Sequence, residues 1–325
     1  MQTTNLYETV LINPASNGCD ELFMVSGYAS ATFARRHIKD LNEKIGSGFK
    51  LNLIIGMPGK RVDHAAYLQL HSEFKGQFVG YYLKETPPVH SKAFSWFASG
   101  NAREAYSGSA NYSQFGFFEA KQINQMVSDD PVAIKSFYDE LLSRSIPMLD
   151  VTPADLPTIR IPTIHGSLPA GTIEWIEPDK SVRISFLDRY GNLPEVSGLN
   201  WGQRQEKRID KITGKVTMVK REPNQAYLSL KGDSRKEGFL PPRAYNFTLI
   251  TDDGASFDCV RAQDGDKAIH STKDNSELGR YFRKRLGLED GAFVTVEDLE
   301  KYGRTDYTIS KIDDENFLLD FSLPD

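Results

Sequence analysis

The sequence predicts two domains: an α/β unit over residues 1-150, its mixed and mainly parallel sheet covered by helices on both faces, and an all-β, barrel-like unit over residues 171-325. Three observations predict this. Through the first half, short apolar runs alternate with amphipathic stretches of helical period, the pattern that builds βαβ units. Pro147, Pro153, Pro157, Pro162 and Pro169 then break any regular element, which sets a linker at 151-170. Beyond it come many short β-rich runs with one strong helix among them.

In order, Leu22 to Tyr28 reads as a buried strand, and Ala29 to Leu41 as a helix with Ser30 suited to capping it. Leu51 to Gly56 predicts a strand, Asp63 to Phe74 a helix and Gln77 to Leu83 another strand. Ala93 to Ala98 and Glu104 to Ser107 are short and aromatic-rich, and Gly100-Asn101 between them marks a hairpin. Gln122 to Val127 predicts a further strand, and Pro131 to Leu142 a helix that tolerates proline in its first turn. The β runs of the second half are Thr172 to Ile176, Val182 to Leu187, Ala226 to Leu230, Tyr245 to Ile250, Ser256 to Val260, Phe293 to Val296 and Phe317 to Phe321; its helix is Ser276 to Leu286.

Composition narrows the function classes. Cys19 and Cys259 are the only cysteines, so there is neither a disulfide framework nor a Cys-rich zinc site, and a reducing compartment suits the chain. His64, His71, His165 and His270 lack metal-ligand spacing, and no metal site is expected. Met1 to Glu8 has no basic start or apolar run, and no window approaches the roughly eighteen apolar residues of a membrane helix, so the expectation is a cytoplasmic protein without a membrane partner. A net charge of -5 argues against a protein that coats nucleic acid nonspecifically. The charge is unevenly spread, however: between Trp201 and Lys236, the bases Arg204, Lys207, Arg208, Lys211, Lys215, Lys220, Arg221, Lys231, Arg235 and Lys236 outnumber Glu206, Asp210, Glu222 and Asp233. One face can then hold a polyanion while the whole stays soluble.

Val89-His90-Ser91-Lys92, followed by Gly108-Ser109-Ala110-Asn111, carries the chemistry. In an extended chain His90 and Lys92 leave the same face, and the hairpin brings Ser109 and Asn111 beside them. A phosphodiester resists attack because its non-bridging oxygens are negative and its leaving alkoxide needs a proton. Histidine can serve as nucleophile in one copy and general acid in another; Lys92, Asn111 and Ser109 can hold the phosphoryl oxygens as charge builds. Because two histidines are needed and one set is present, a homodimer with two His90 residues on its axis is the economical solution. His37-Ile38-Lys39 has the same spacing but lies on a predicted helix without a following Gly-Ser-x-Asn, so it reads as solvated surface. Gly56-Met57-Pro58-Gly59-Lys60 lacks the spacing of a phosphate loop and reads as a turn; no nucleotide site is visible.

His90-Ser91-Lys92 with Gly108-Ser109-Ala110-Asn111 resembles the HxK and GSxN motif of the phospholipase D superfamily, and Ser26-Gly27-Tyr28-Ala29-Ser30 and Ile55-Gly56-Met57 look like the lead-in of its nuclease branch. The resemblance implies a phosphohistidine intermediate on His90, protonation of the leaving group by the other subunit's histidine, and hydrolysis without metal or other cofactor. Phe97 stands where many members carry an aspartate, and Asn124 or Gln125 where a glutamate often follows, with Glu119 the nearest acid; Glu119 and Asn124 are thus the candidates for orienting His90.

The second half resembles, more loosely, the DNA-binding pseudobarrel of plant B-three factors and of restriction-enzyme effector domains of the EcoRII type, through Asn275 to Leu288 and Gly291 to Val296. In that fold two loops grip the major groove. Trp201, Gln203, Arg204, Lys207 and Arg208 would suit the first arm, and Lys267, Lys273 and Asn275, within Asp264 to Asn275, the second. Trp201 is alternatively a core anchor, and Arg280, Arg283, Lys284 and Arg285 read mainly as an exposed helix face. The whole resembles restriction endonucleases of the NgoFVII and BfiI kind. That implies site-specific cleavage of double-stranded DNA, a companion methyltransferase and, in some relatives, a separate ATPase. The alternatives are a phospholipid or other phosphodiesterase of the superfamily, or a DNA-binding regulator with a vestigial catalytic set.

Overall fold

The computed structural model describes residues 1–58, 63–84, 87–118, 122–152, 155, 180–209, 213–235 and 238–323, without the side chains of Arg208 and Asp233. The chain forms two compact units, Met1–Pro157 and Thr158–Asp325. Most of the predicted linker and the whole predicted strand Thr172 to Ile176 lie outside the described residues.

In the first unit a π-helical segment (Tyr7–Ile12) leads to α1 (Asn13–Ser16), β1 (Glu21–Ser26), α2 (Ala31–Ile45), β2 (Lys50–Ile55), α3 (His64–Glu73), β3 (Phe78–Leu83), β4 (Lys92–Ala98), β5 (Asn101–Gly108), α4 (Gln114–Phe117), β6 (Met126–Asp129), α5 (Pro131–Leu142) and β7 (Ser145–Pro147). The seven strands form one sheet in the order β6-β5-β4-β1-β2-β3-β7. Only β1, β2 and β3 pair in parallel; the hairpin β4–β5, β6 and β7 all join antiparallel. The sheet is therefore mixed but not mainly parallel, because a two-residue turn at Ser99-Gly100 can return a strand only antiparallel.

The period of two along each strand assigns the faces. Leu22, Met24, Leu51, Leu53, Phe94 and Trp96 pack with Phe33, Ile38 and Leu41 of α2 and Tyr67 and Leu70 of α3. On the opposite face Val25, Ile54 and Leu83 meet Tyr138 and Leu141 of α5. Each such fully buried side chain contributes roughly 1.5–3 kcal/mol. α2 starts where Ser30 Oγ accepts the Phe33 N–H, and α5 where Asp130 accepts those of Val132 and Ala133, with Pro131 first in the helix. Residues 122–125, expected in a strand, precede β6. The opening helical segments were not expected; they are fixed by tertiary cover, as where Trp96 Nε1 donates to Val10 O at 2.8 Å.

The second unit contains β8 (Ser181–Ser185), β9 (Gln205–Ile209), β10 (Val216–Lys220), β11 (Leu228–Ser229), β12 (Asn246–Thr251), β13 (Ser256–Ala262), β14 (Ala268–Ser271), α6 (Glu277–Arg285), α7 (Val296–Tyr302), β15 (Asp306–Lys311) and β16 (Asn316–Asp320). Seven of these strands form a nearly closed barrel sheet in the order β11-β14-β13-β12-β16-β15-β8, and β9 and β10 form a separate ribbon. Phe247, Leu249, Ile269, Phe317 and Leu319 fill its core with Leu278 and Phe282 of α6.

Two expectations fail here. Phe293 to Val296 is not a strand: Thr295 Oγ1 and the Asp298 carboxylate exchange bonds with each other's backbone N–H, a reciprocal cap that starts α7 instead. Arg283 is not on an exposed face but fully buried, its guanidinium donating to the carbonyls of Ala292, Gly279, Leu199 and Pro223. Arg285 is half-buried and forked onto Asp252 at 3.1 and 2.9 Å, while Lys284 is exposed and Arg280 pairs with Asp274. Among the described residues no helix is long and apolar enough to cross a membrane.

Candidate active site

The carboxyl ends of β1, β2 and β5 and the amino end of β4 share one edge of the first sheet, the edge where open α/β sheets place ligands. His90 and Ser91 lie just before β4, and Lys92 is its first residue, opposite Ser26. Val89 N–H donates to Gly56 O at 3.0 Å, and Gly27 N–H to Ser91 O at 2.9 Å, so the turns after β1 and β2 hold the segment from both sides. Two glycines make this approach possible. A Cβ on Gly27 would lie 2.5 Å from His90 Cδ2, and one on Gly56 would lie 2.2 Å from Val89 O.

His90 is exposed, with its ring edge-on to Tyr28 at 5.7 Å. Lys92 shares the parity of Phe94 and Trp96, so its stem enters the face covered by α2 and α3; it is 7% exposed, and Nζ donates to His90 O at 2.8 Å. Burial lowers the pKa of its ammonium. Asn111, half-buried, accepts the Tyr28 N–H on Oδ1 at 3.2 Å, which ties it to the same turn that supports His90. That bond leaves the two protons of its amide nitrogen for an incoming acceptor.

Ser109 and Asn124 are placed differently. Ser109 Oγ donates to Asn124 Oδ1 and accepts the Gln125 N–H, both at 3.0 Å. The buried Asn124 amide donates to Phe115 O and Gly116 O at 3.3 and 2.9 Å and accepts from Gln122. This pair staples the loop that carries Asn111. Glu119 lies outside the described residues.

Two features that sequence reasoning missed support the site. Ser26 is fully buried; its Oγ donates to Tyr28 O at 2.5 Å and accepts the Tyr112 N–H at 2.9 Å, joining the β1 turn to the β5 loop. His37 is not solvated surface but fully buried, with Nδ1 2.8 Å from Tyr112 Oη and Nε2 3.1 Å from Leu11 O. Helical period places it on the core side with Phe33 and Leu41, a signal legible in the spacing. His64 and His71 are hydrogen-bonded to Tyr82 Oη and to the Gly80 N–H, and no group of possible metal ligands forms among the described residues.

In the second unit Trp201 is half-buried. Arg221 lies 4.1 Å above its ring, and the Tyr227 and His270 rings lie 5.5 and 5.0 Å away. Asn275 lies close enough to His270 to influence its ring, so the predicted second arm meets the first at this cluster. That arm is not all loop: β14 occupies its middle and leaves exposed Lys267 before it and exposed Lys273 after it. Gln203 Nε2 donates to Gly291 O at 3.1 Å. Arg204 and Lys207 are exposed, Lys207 and Arg208 lie on β9 of the ribbon, and Ile209, Val216 and Met218 of the ribbon are exposed as well. Arg221 was counted only as part of the basic run; its ion pair with Glu206 at 2.7 Å links the ribbon to Trp201.

A polar set gathered at one sheet end, on a chain that also carries a barrel with a basic ribbon, is the build of an enzyme that cuts a polyanion it binds. Residues 4–151 match the family model of the NgoFVII restriction endonuclease N-terminal PLD domain, and residues 175–313 that of the NgoFVII C-terminal B3-like DNA-binding domain. Together they take in most of the chain, which belongs to the NgoFVII family of restriction endonucleases: phosphodiester-hydrolysing enzymes whose partner is DNA. Solved structures similar to the chain include Nuc, a phospholipase D family member from Salmonella typhimurium (12% identity, TM-score 0.33, 43% of this chain and 89% of that one). NucT from Helicobacter pylori is another (18%, 0.30, 42% and 87%), as is phosphatidylserine synthase of Haemophilus influenzae (12%, 0.31, 42% and 36%). A search of curated proteins finds no match.

Proposed function

We propose that the chain cuts double-stranded DNA at a specific sequence, in the cytoplasm, by metal-independent phosphodiester hydrolysis through a phosphohistidine on His90. A ring nitrogen of His90 attacks phosphorus as the bond to the leaving oxygen breaks. His90 of the partner subunit, as imidazolium, gives that oxygen its proton. Water then attacks the phosphohistidine, its proton passes to the partner's now neutral imidazole, and His90 is released. Lys92 and the free protons of Asn111 stabilise the charge that builds on the phosphoryl oxygens, while Ser109 and Asn124 hold the loop.

The observation that carries this reading is the exposed His90 ring on its glycine bed, with Lys92 bonded to its carbonyl and Asn111 bonded to the adjoining turn. One set per chain makes a homodimer through this domain the working unit. In the second unit Trp201, Gln203, Arg204, Lys207, Arg208, Lys267, Lys273 and Asn275 form the DNA face, the lysines on phosphates and the arginines and amides on base edges. A two-stranded ribbon of the β9–β10 kind fits a major groove. A cognate methyltransferase would protect host sites, and a separate ATPase would act from another chain.

The test is cleavage of a sequenced plasmid in EDTA, with and without ATP, by the wild type and by His90→Ala. The expected result is fixed-position cutting by the wild type in EDTA and none by the variant, with DNA retention intact. Cutting by His90→Ala would overturn the assignment of the nucleophile, and loss of wild-type cutting in EDTA would overturn metal independence.

A further inference from the structure

We propose that His37 is a positioning residue of the cleavage reaction, acting through Tyr112 to hold Asn111 where it meets the scissile phosphate. This rests on the reading of Asn111 as a phosphate-holding group and deepens it.

His37 lies between Leu11 O and Tyr112 Oη with no solvent contact. A carbonyl has no proton to give, so Nε2 must carry the ring hydrogen, and the neutral ring turns the lone pair of Nδ1 toward Tyr112. Burial keeps both groups in these forms: the His37 pKa is lowered to about 4, and that of the Tyr112 phenol is raised. Tyr112 therefore donates and His37 accepts, a one-way arrangement that fixes the phenol.

Tyr112 follows Asn111 directly and is anchored at three points. Its N–H donates to Ser26 Oγ at 2.9 Å, its carbonyl accepts the Ser30 N–H at 3.0 Å, and its hydroxyl reaches His37 at 2.8 Å. Phe33 and Phe94 flank the ring at 5.0 and 6.4 Å. With Tyr112 held, Asn111 Oδ1 meets the Tyr28 N–H at 3.2 Å, and its amide protons take up a fixed direction beside the turn that supports His90.

The surroundings make stability a poor reason for this chain of bonds. Leu11, Phe33, Ile38, Phe94 and Phe117 belong to one apolar core, where a phenylalanine and a leucine would pack without any polar atom to satisfy. Buried polar groups in such a layer gain little net stability, but they fix one geometry.

The experiment measures single-turnover cleavage and amide hydrogen exchange at Tyr28 in the full-length protein. Tyr112→Phe keeps the ring and removes only the oxygen. It should lower the cleavage rate about tenfold, since small displacements of a reacting geometry cost one to two orders of magnitude. DNA affinity should be unchanged, and Tyr28 should exchange faster. His37→Leu should repeat this pattern, while His37→Gln, which can donate and accept, should stay within about threefold of the wild type. Unchanged rate and exchange in folded Tyr112→Phe would overturn the proposal; so would a lost rate with Tyr28 exchange unchanged, or a His37→Gln as impaired as His37→Leu. The exchange arm reads the position of Asn111 without activity, so it separates failure of this inference from failure of the cleavage mechanism, which His90→Ala reports.

Discussion

The chain carries two His-x-Lys triplets in one domain, and the fold inverts them. At residues 37-39 the histidine is fully buried and the lysine half-buried; at 90-92 the histidine is exposed and the lysine 7% exposed. On α2 a spacing of two rotates the lysine about 200° away from the core-facing histidine. At the start of β4 the same spacing keeps both near one sheet edge, with Lys92 reaching back to His90 O. Identical spacing thus buries the histidine in one context and exposes it in the other; secondary structure, not the triplet, decides.

Substitutions should separate the two triplets, and the largest effect belongs to the second. His90→Ala should lower single-turnover cleavage by more than about 10³-fold, as loss of a nucleophile does, while melting and DNA retention stay near wild type. Lys92→Met, similar in length but uncharged, should cost about 10²–10³-fold in rate by removing a donor aimed at developing charge. A Lys92→Met enzyme that cuts at the wild-type rate would remove the lysine from the mechanism.

The first triplet should show itself in stability. His37 has a pKa of about 4 when folded and about 6.5 when unfolded. Between these values the unfolded chain binds more protons, so stability is full above pH 6.5 and falls as the pH drops toward 4. The loss should reach about 3 kcal/mol. The groups facing the ring are Tyr112 Oη, Leu11 O and the Tyr7 ring at 6.0 Å, none of which titrates in this window. Urea unfolding between pH 4 and 7 should show this slope in the wild type and lose it in His37→Gln.

The smallest effects belong to the exposed cations of the second unit. Arg204→Ala and Lys207→Ala should each weaken DNA binding several-fold and reduce the salt slope by about one. Loss of sequence discrimination as well, in the arginine variant alone, would make it a base reader.

Much of this was legible in the sequence. The short apolar runs Leu22 to Val25 and Leu51 to Ile54 gave the central strands, and Pro131, tolerated in a first turn, gave the start of α5. His90, Lys92 and Asn111 were legible because their residue types and order are rarely assembled by chance. What escaped has physical causes. Ser26 and Tyr112 act through long-range bonds that leave no periodic mark. Phe293 to Val296 has strand-like residues, but the Thr295 and Asp298 pair starts a helix. Arg283 looks like surface because only the folded chain supplies its four carbonyls.

In the proposed reaction the exposed histidine, not the buried one, takes the phosphate. The most direct measurement is mass spectrometry of peptides from a single-turnover reaction in EDTA, quenched in alkali to spare an acid-labile P–N bond. A DNA-phosphoryl adduct is expected on the peptide bearing His90 and none on the peptide bearing His37. Product formation with no adduct at His90 at any time point would contradict it.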